Sequence, residues 1–271
     1  MNSYDVFVLG GQSNGEGRGR GEGNLPVVLD PVLWEYSDPY PFGMRQQKDG
    51  SYHLLLHTPP AFALKPFEEE TYPEGGGHYA CLFPGFANAY RKAGCLSEGR
   101  KILLVKAAVD GTGFYWQGQW GRHEPLSDRL LSVTQDALKL GDCRLVAFLW
   151  HQGEHEAFER PNLSMQERHN GYYAWLKELF DDFRAQFGNV PIICGEGTKQ
   201  WEKEYASQCQ AVWSATKEVL SSIGNGAFVT TEGLLSNDEV VHNGDVIHFS
   251  RLGQEALGER YFDAWRRLAK Q

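Results

Sequence analysis

Five short apolar runs recur along the chain: Tyr4–Leu9, Lys101–Ala107, Arg144–Trp150, Val190–Gly195 and Gly226–Thr231. Their valine, isoleucine, leucine and phenylalanine residues are nearly continuous rather than alternating with polar ones. That pattern predicts strands covered on both faces, as in a parallel sheet. Between them the spacing becomes helical over Leu82–Ala93, Ser127–Leu140, Ser164–Phe187, Ala206–Ser222 and Arg251–Lys270. The Ser164–Glu167 segment has the form of a capping box, and Gly188 stands where the third of these helices should stop. Strands alternating with helices predict an α/β fold wound on both sides of its sheet.

The first connection breaks this rhythm. Gly17 to Tyr79 is rich in proline, glycine and aromatic residues, and reads as an ordered but irregular insertion packed over the strand ends. Trp34, Tyr36, Tyr40, Phe42 and Tyr52 are then candidates to line a cleft. No repeat or low-complexity linker divides the chain, so residues 1–271 are expected to form a single domain.

Composition narrows the partners. With 41% hydrophobic and 23% charged residues this is an ordinary globule, and its formal net charge of −9 argues against nucleic acid or an anionic membrane as the main partner. No apolar run is long enough to span a bilayer. Met1 passes almost directly into a strand without a basic and apolar leader, which predicts a cytoplasmic protein unless a leader has been trimmed. The five cysteines are scattered, without C-x-x-C spacing, and Cys143 and Cys194, beside or inside apolar runs, are expected to be buried thiols, which fits a reducing compartment.

Chemistry concentrates at predicted strand ends, where open α/β sheets place their ligands. Gly10-Gly11-Gln12-Ser13-Asn14 follows the first strand and delivers a hydroxyl there; as a plain turn it would have much the same composition. A serine needs a base to become a nucleophile, and a histidine needs a carboxylate to hold its tautomer. Asp245 and His248, three residues apart on a turn before a helix, can form that pair locally, or can be a turn cap and a structural histidine. The glycine-rich turn Val109–Gly113 offers the Gly111 amide to an oxyanion. After the third run, His151-Gln152-Gly153-Glu154-His155 matches the H-x-x-E-H pattern of inverted zinc peptidases. That chemistry needs a helix, whereas the preceding residues look like a strand and Gly153 would sit mid-helix. A polar loop with the Gln152 amide as an oxyanion donor fits better, so no metal or other cofactor is expected.

Taken together these segments resemble the SGNH hydrolase superfamily, and within it the sialate O-acetylesterase-like carbohydrate esterases. Gly11-Gln12-Ser13-Asn14 with Gly17-Arg18-Gly19, Trp150-His151-Gln152-Gly153-Glu154, and Asp245-Val246-Ile247-His248 look like three of that family's blocks, in its order. The resemblance implies a three-layer, flavodoxin-like fold on a five-stranded parallel sheet, and a Ser13–His248–Asp245 triad. It also implies an oxyanion hole from the Ser13 and Gly111 amides and the Gln152 side chain, with Gln12, Asn14 and Glu154 supporting from behind. The chain departs from the pattern at Gly15, Asp110 and His155-Glu156; the first and last are expected near the acyl or sugar group.

The expected function is a serine esterase that removes O-acetyl groups from sialic acid or another acetylated glycan through an acetyl-enzyme. Its partner would be a small-molecule or glycan ester. The alternatives are an SGNH esterase of non-sugar acyl esters, a zinc-dependent hydrolase using His151 and His155, and a glycan-binding module without catalysis.

Overall fold

The computed structural model describes residues 2–25, 31–37, 43–46, 52–55, 62–72, 77–114, 119–158, 160 and 162–270. The strands are β1 Ser3–Gly11, β2 Leu33–Ser37, β3 Gly43–Gln46, β4 Tyr52–Leu55, β5 Ala63–Pro66, β6 Arg100–Lys106, β7 Asp142–His151, β8 Ile192–Gly195 and β9 Gly226–Val229. The helices are α1 Ser13–Glu16, α2 Phe83–Lys92, α3 Pro125–Ala137, α4 Glu154–Phe158, α5 Met165–Phe187, α6 Lys199–Glu202, α7 Ala206–Ile223, α8 Asn237–Val241 and α9 Arg251–Leu268. All five predicted strands and all five predicted helices are present, and Ser164 and Glu167 close the expected capping box on α5.

The main sheet has seven strands in the order β5-β2-β6-β1-β7-β8-β9, not the five expected. Every pairing is parallel except that of β5 with β2. Both extra strands come from the region read as an irregular insertion. β2 is not a continuous apolar run: buried and half-buried positions alternate along it, and its one charged residue, Glu35, is buried against Lys65 (2.9 Å) and Ser37 (2.9 Å). β5 ends in Pro66 and lies at the sheet edge, where a missing N–H costs no ladder bond. Trp34 and Tyr36 therefore pack from β2 against the core instead of lining a cleft. Tyr40 and Phe42, and the side chain of Tyr52, lie outside the described residues.

Successive side chains of the central strands point to opposite faces and feed two cores. Tyr4, Val6 and Val8 of β1 join Phe148 and Trp150 of β7 under α3, α5 and α7. Phe7 and Leu9 join Leu104 and Leu149 under α2 and α9. Layers of helix, sheet and helix result. None of the described helices is long and apolar enough to cross a membrane.

β1 decides where a site can form. The connection leaving β1 runs toward β2 and that leaving β7 runs the other way toward β8, so the chain splits apart at the C-terminal ends of β1 and β7. A crevice at that point is the expected ligand position of such a sheet.

Candidate active site

The turn that leaves β1 is dictated by Gly11. Its φ of 118° suits glycine, and a Cβ there would stand 2.0 Å from the His151 carbonyl oxygen. The close approach lets the Gln12 amide donate to that same oxygen (2.9 Å), which locks the turn to the end of β7. α1 then begins with Ser13. Its first-turn amides have no partner within the helix, so the backbone there presents donors beside the hydroxyl. Ser13 is 3% exposed, and Asn14 is fully buried.

The other half of the site lies between α8 and α9. α8 is closed by a capping box from Ser236 and Glu239, and Ser250 caps α9 through the Gly253 amide. The Ser250 cap fixes the far end of the loop that carries Asp245 and His248, and the Asn237 and Asp238 amides at the start of α8 donate to the His248 (2.8 Å) and Asp245 (3.0 Å) carbonyls. Asp245 Oδ2 lies 2.9 Å from His248 Nδ1, and Asp245 Oδ1 accepts from the His248 amide at 3.2 Å. A carboxylate only accepts, so the ring proton sits on Nδ1 and Nε2 keeps a lone pair in the neutral form. Burial alone would raise the Asp245 pKa, but the hydrogen bond and charge of His248, aided by Asn237, bring it below the ordinary value. Asn237 donates to Asp245 Oδ2 (2.8 Å) and to the Arg18 carbonyl (2.9 Å), joining this pair to the chain just beyond α1.

Asn14 makes the decisive long-range connection. Its Nδ2 donates to the Ile247 carbonyl (3.0 Å), and its Oδ1 accepts from the Phe249 amide (3.1 Å). The residue after Ser13 thus holds the residues on both sides of His248. No hydrogen bond joins the Ser13 hydroxyl to His248 among the described residues. Such catalytic bonds often tighten only when substrate is present.

The Gly111 loop leaves β6 and is tied to the same turn. The Val109 amide donates to the Gly11 carbonyl (2.9 Å), and the Asp110 amide to Glu16 Oε2 (2.5 Å). Arg18 bridges Glu16 (3.0 Å) and Asp110 (3.2 Å). Gly111 follows with a φ of 69°, in the left-handed region. Burial raises the Glu16 pKa despite the nearby cations Arg18 and Lys106. Asp110, which departs from the family pattern, therefore fastens the loop to α1.

Gln152 is placed differently from its expected role as a free donor. Its amide nitrogen gives one hydrogen to Gln12 Oε1 (3.1 Å) and the other to Glu156, while its oxygen accepts from the Tyr172 hydroxyl (2.9 Å). Both hydrogens are engaged, so Gln152 reaches an oxyanion only by exchanging a bond. Glu156 is fully buried and also accepts from the Phe114 amide (2.5 Å), so it braces the Gly111 loop instead of meeting substrate. Gly15 is likewise enclosed: a Cβ there would lie 3.2 Å from the Gly10 carbonyl and 3.3 Å from Ala108.

The zinc-peptidase spacing dissolves on folding. His151 is the last residue of β7, and His155 belongs to the separate short helix α4. His151 turns Nδ1 to the Tyr261 hydroxyl (2.9 Å), and Glu154 turns to Asn14 (2.6 Å). Desolvation lowers the His155 pKa to about 4, against the pull of Glu154 and Asp110. All five cysteines are free thiols.

Asn237, Glu16 and Glu156 were not singled out as supports by sequence reasoning. Ser236-Asn237-Asp238-Glu239 does carry a capping-box spacing that would have placed Asn237 at a helix start; its reach to Asp245 has no sequence signal.

The fold is three-layer α/β, and its serine turn, glycine loop and histidine–aspartate pair are the segments on which the resemblance drawn from the sequence was based. A profile of the carbohydrate esterase, sialic acid-specific acetylesterase family matches residues 3–267. The chain belongs to that family and is a carboxylic ester hydrolase of O-acetylated carbohydrate. No curated protein sequence gives a match. Among solved structures, NanS is 16% identical with a TM-score of 0.70, covering 99% of this chain and 98% of its own. A protein from Arabidopsis thaliana is 21% identical with a TM-score of 0.65, covering 98% and 99% respectively. A carbohydrate acetylesterase from Xanthomonas citri is 16% identical with a TM-score of 0.60, covering 98% of this chain and 56% of that one. These likenesses establish the shared fold.

Proposed function

We propose that Ser13 is the nucleophile of this esterase, that His248 is its general base, and that Asp245 orients His248. The observation that carries the reading is the Asp245–His248 pair at 2.9 Å, on a loop gripped on either side of His248 by the residue next to Ser13. Ser13 Oγ attacks the acetyl carbonyl while His248 Nε2 takes its proton. The amides of Ser13 and Gly111 receive the developing oxyanion; such donors are typically worth about 3 kcal/mol each. The tetrahedral intermediate collapses, the sugar oxygen leaves with the proton from His248, and an acetyl-serine remains. Water then loses a proton to His248 and attacks the acetyl-serine. Acetate leaves, and the proton returns to Ser13. Residues 1–271 act as one domain in this reading, because the parts of the site come from both ends of the chain.

The substrate in this reading is an O-acetylated sialic acid, the sugar that the family description specifies. A panel of O-acetylated sialic acid, acetylated neutral sugars and p-nitrophenyl acetate tests it. We expect kcat/KM on the acetylated sialic acid to exceed that on the neutral sugars by about tenfold or more, as a few added polar contacts provide. Equal or higher values on neutral sugars would reject the sialic acid assignment.

A further inference from the structure

Behind Ser13 lies a chain of buried polar groups that the proposed reaction does not use directly. Glu154 is fully buried, and its Oε1 accepts from Asn14 Nδ2 at 2.6 Å. His151 Nε2 lies 3.6 Å from that same oxygen, and His151 Nδ1 lies 2.9 Å from the Tyr261 hydroxyl. Tyr261 in turn donates to the Trp150 carbonyl at 3.0 Å, so its hydroxyl receives the hydrogen of His151 Nδ1. A buried carboxylate among apolar walls is costly unless it is paired, and here its two neighbours are a histidine and one particular amide.

The amide is what gives the carboxylate a purpose. An asparagine side chain has a donor end and an acceptor end of nearly equal shape, and can sit either way round. An ionised carboxylate has no hydrogen to give, so Glu154 obliges Asn14 to present nitrogen. Oδ1 must then face the other way, where the Phe249 amide donates to it (3.1 Å), while Nδ2 also serves the Ile247 carbonyl (3.0 Å). Reversed, the amide would set its oxygen against the Ile247 carbonyl and its hydrogens against the Phe249 N–H. The backbone flanking His248 would lose both bonds at once. Gln254 holds the Asn14 main chain through its carbonyl (3.1 Å).

We infer that Glu154 and Asn14 form a positioning pair: the glutamate fixes which way the asparagine amide points, and the amide sets the place of His248 relative to Ser13. The inference rests on the proposed roles of Ser13 and His248. Burial by itself would raise the Glu154 pKa, but the nearby His151 ring and the Asn14 hydrogen bond lower it, in keeping with an acceptor that stays ionised.

An exchange of donor and acceptor tests the pair. In Asn14→Asp a carboxylate faces a carboxylate and the donor to Ile247 is lost; kcat on p-nitrophenyl acetate should fall about 100-fold with KM little changed, as for a misplaced catalytic group. In Asn14→Asp with Glu154→Gln, the glutamine amide donates to the new carboxylate while the Phe249 amide keeps its acceptor. That double variant should recover about tenfold in kcat over Asn14→Asp, and the rate of Ser13 labelling by a fluorophosphonate should recover in parallel. A double variant no faster than Asn14→Asp overturns the inference. Should Asn14→Asp not fold, the comparison moves to Glu154→Gln, which keeps an acceptor, and Glu154→Leu, which has none. The leucine variant should be slower by about tenfold; equal rates overturn the inference. Ser13→Ala is measured alongside: activity retained there refutes the nucleophile itself, whereas an inactive Ser13→Ala with no recovery by exchange refutes only the positioning pair.

Discussion

Replacing Ser13 by alanine should lower kcat on p-nitrophenyl acetate by about 10⁴-fold or more, with the fold retained. The size follows from what is removed. Without the hydroxyl no acetyl-enzyme can form, and any remaining turnover must use water held by the oxyanion amides. The fold should scarcely notice, because the Ser13 hydroxyl makes no hydrogen bond among the described residues and the turn is held by backbone contacts at Gly11 and Gln12. A loss in stability of less than about 1 kcal/mol is expected. Steady-state kinetics and thermal unfolding on the same preparation check both parts. A variant that keeps its activity, or that loses it only by unfolding, contradicts the assignment.

The second large effect is expected at Asp245. Asparagine has nearly the same shape, but its amide nitrogen can donate to His248 Nδ1 and so drive the ring proton to Nε2. The lone pair that should accept the Ser13 proton is then gone. A change of this kind costs about 10⁴-fold in kcat when the geometry is otherwise intact. Acid stability should change as well. Asp245 is more acidic in the folded chain than an ordinary aspartate, with His248 and Asn237 outweighing its burial. The resulting stability is present above the unfolded aspartate pKa and is lost as pH falls through the lower folded value. Unfolding curves of the wild type and Asp245→Asn should therefore converge as the solution becomes strongly acidic. A kcat within tenfold of wild type would remove Asp245 from the orienting role.

Much of this architecture was legible in the chain because its elements carry local signals. The central strands are runs of apolar residues, and α5 announces itself through Ser164 and Glu167. Ser13 and Gly111 follow the ends of β1 and β6, so their candidacy followed from strand ends, and that of Asp245 and His248 from their spacing on a turn before a helix. What stayed hidden depends on pairing between distant residues. β2 has a buried glutamate whose charge is acceptable only because Lys65 arrives from β5 to pair with it. The H-x-x-E-H spacing, set aside because Arg144–Trp150 reads as a strand, does span the end of β7, though the short helix α4 that begins at Glu154 had no signal. Gln152 presents the right amide, but Gln12, Glu156 and Tyr172 take up its bonds, and no spacing rule reports that. Gly15 and the His155-Glu156 pair were expected near the acyl or sugar group from their place in the chain; Gly15 and Glu156 are enclosed, and His155 is half-buried.

The most direct measurement is covalent. A fluorophosphonate requires an activated hydroxyl, so incubation of the intact protein followed by peptide mapping identifies which oxygen the fold has made reactive. A single adduct on the peptide bearing Ser13, abolished in Asp245→Asn and competed by an acetylated sugar, is the predicted result. Stoichiometric modification at any other residue would mean that the esterase works from a different nucleophile.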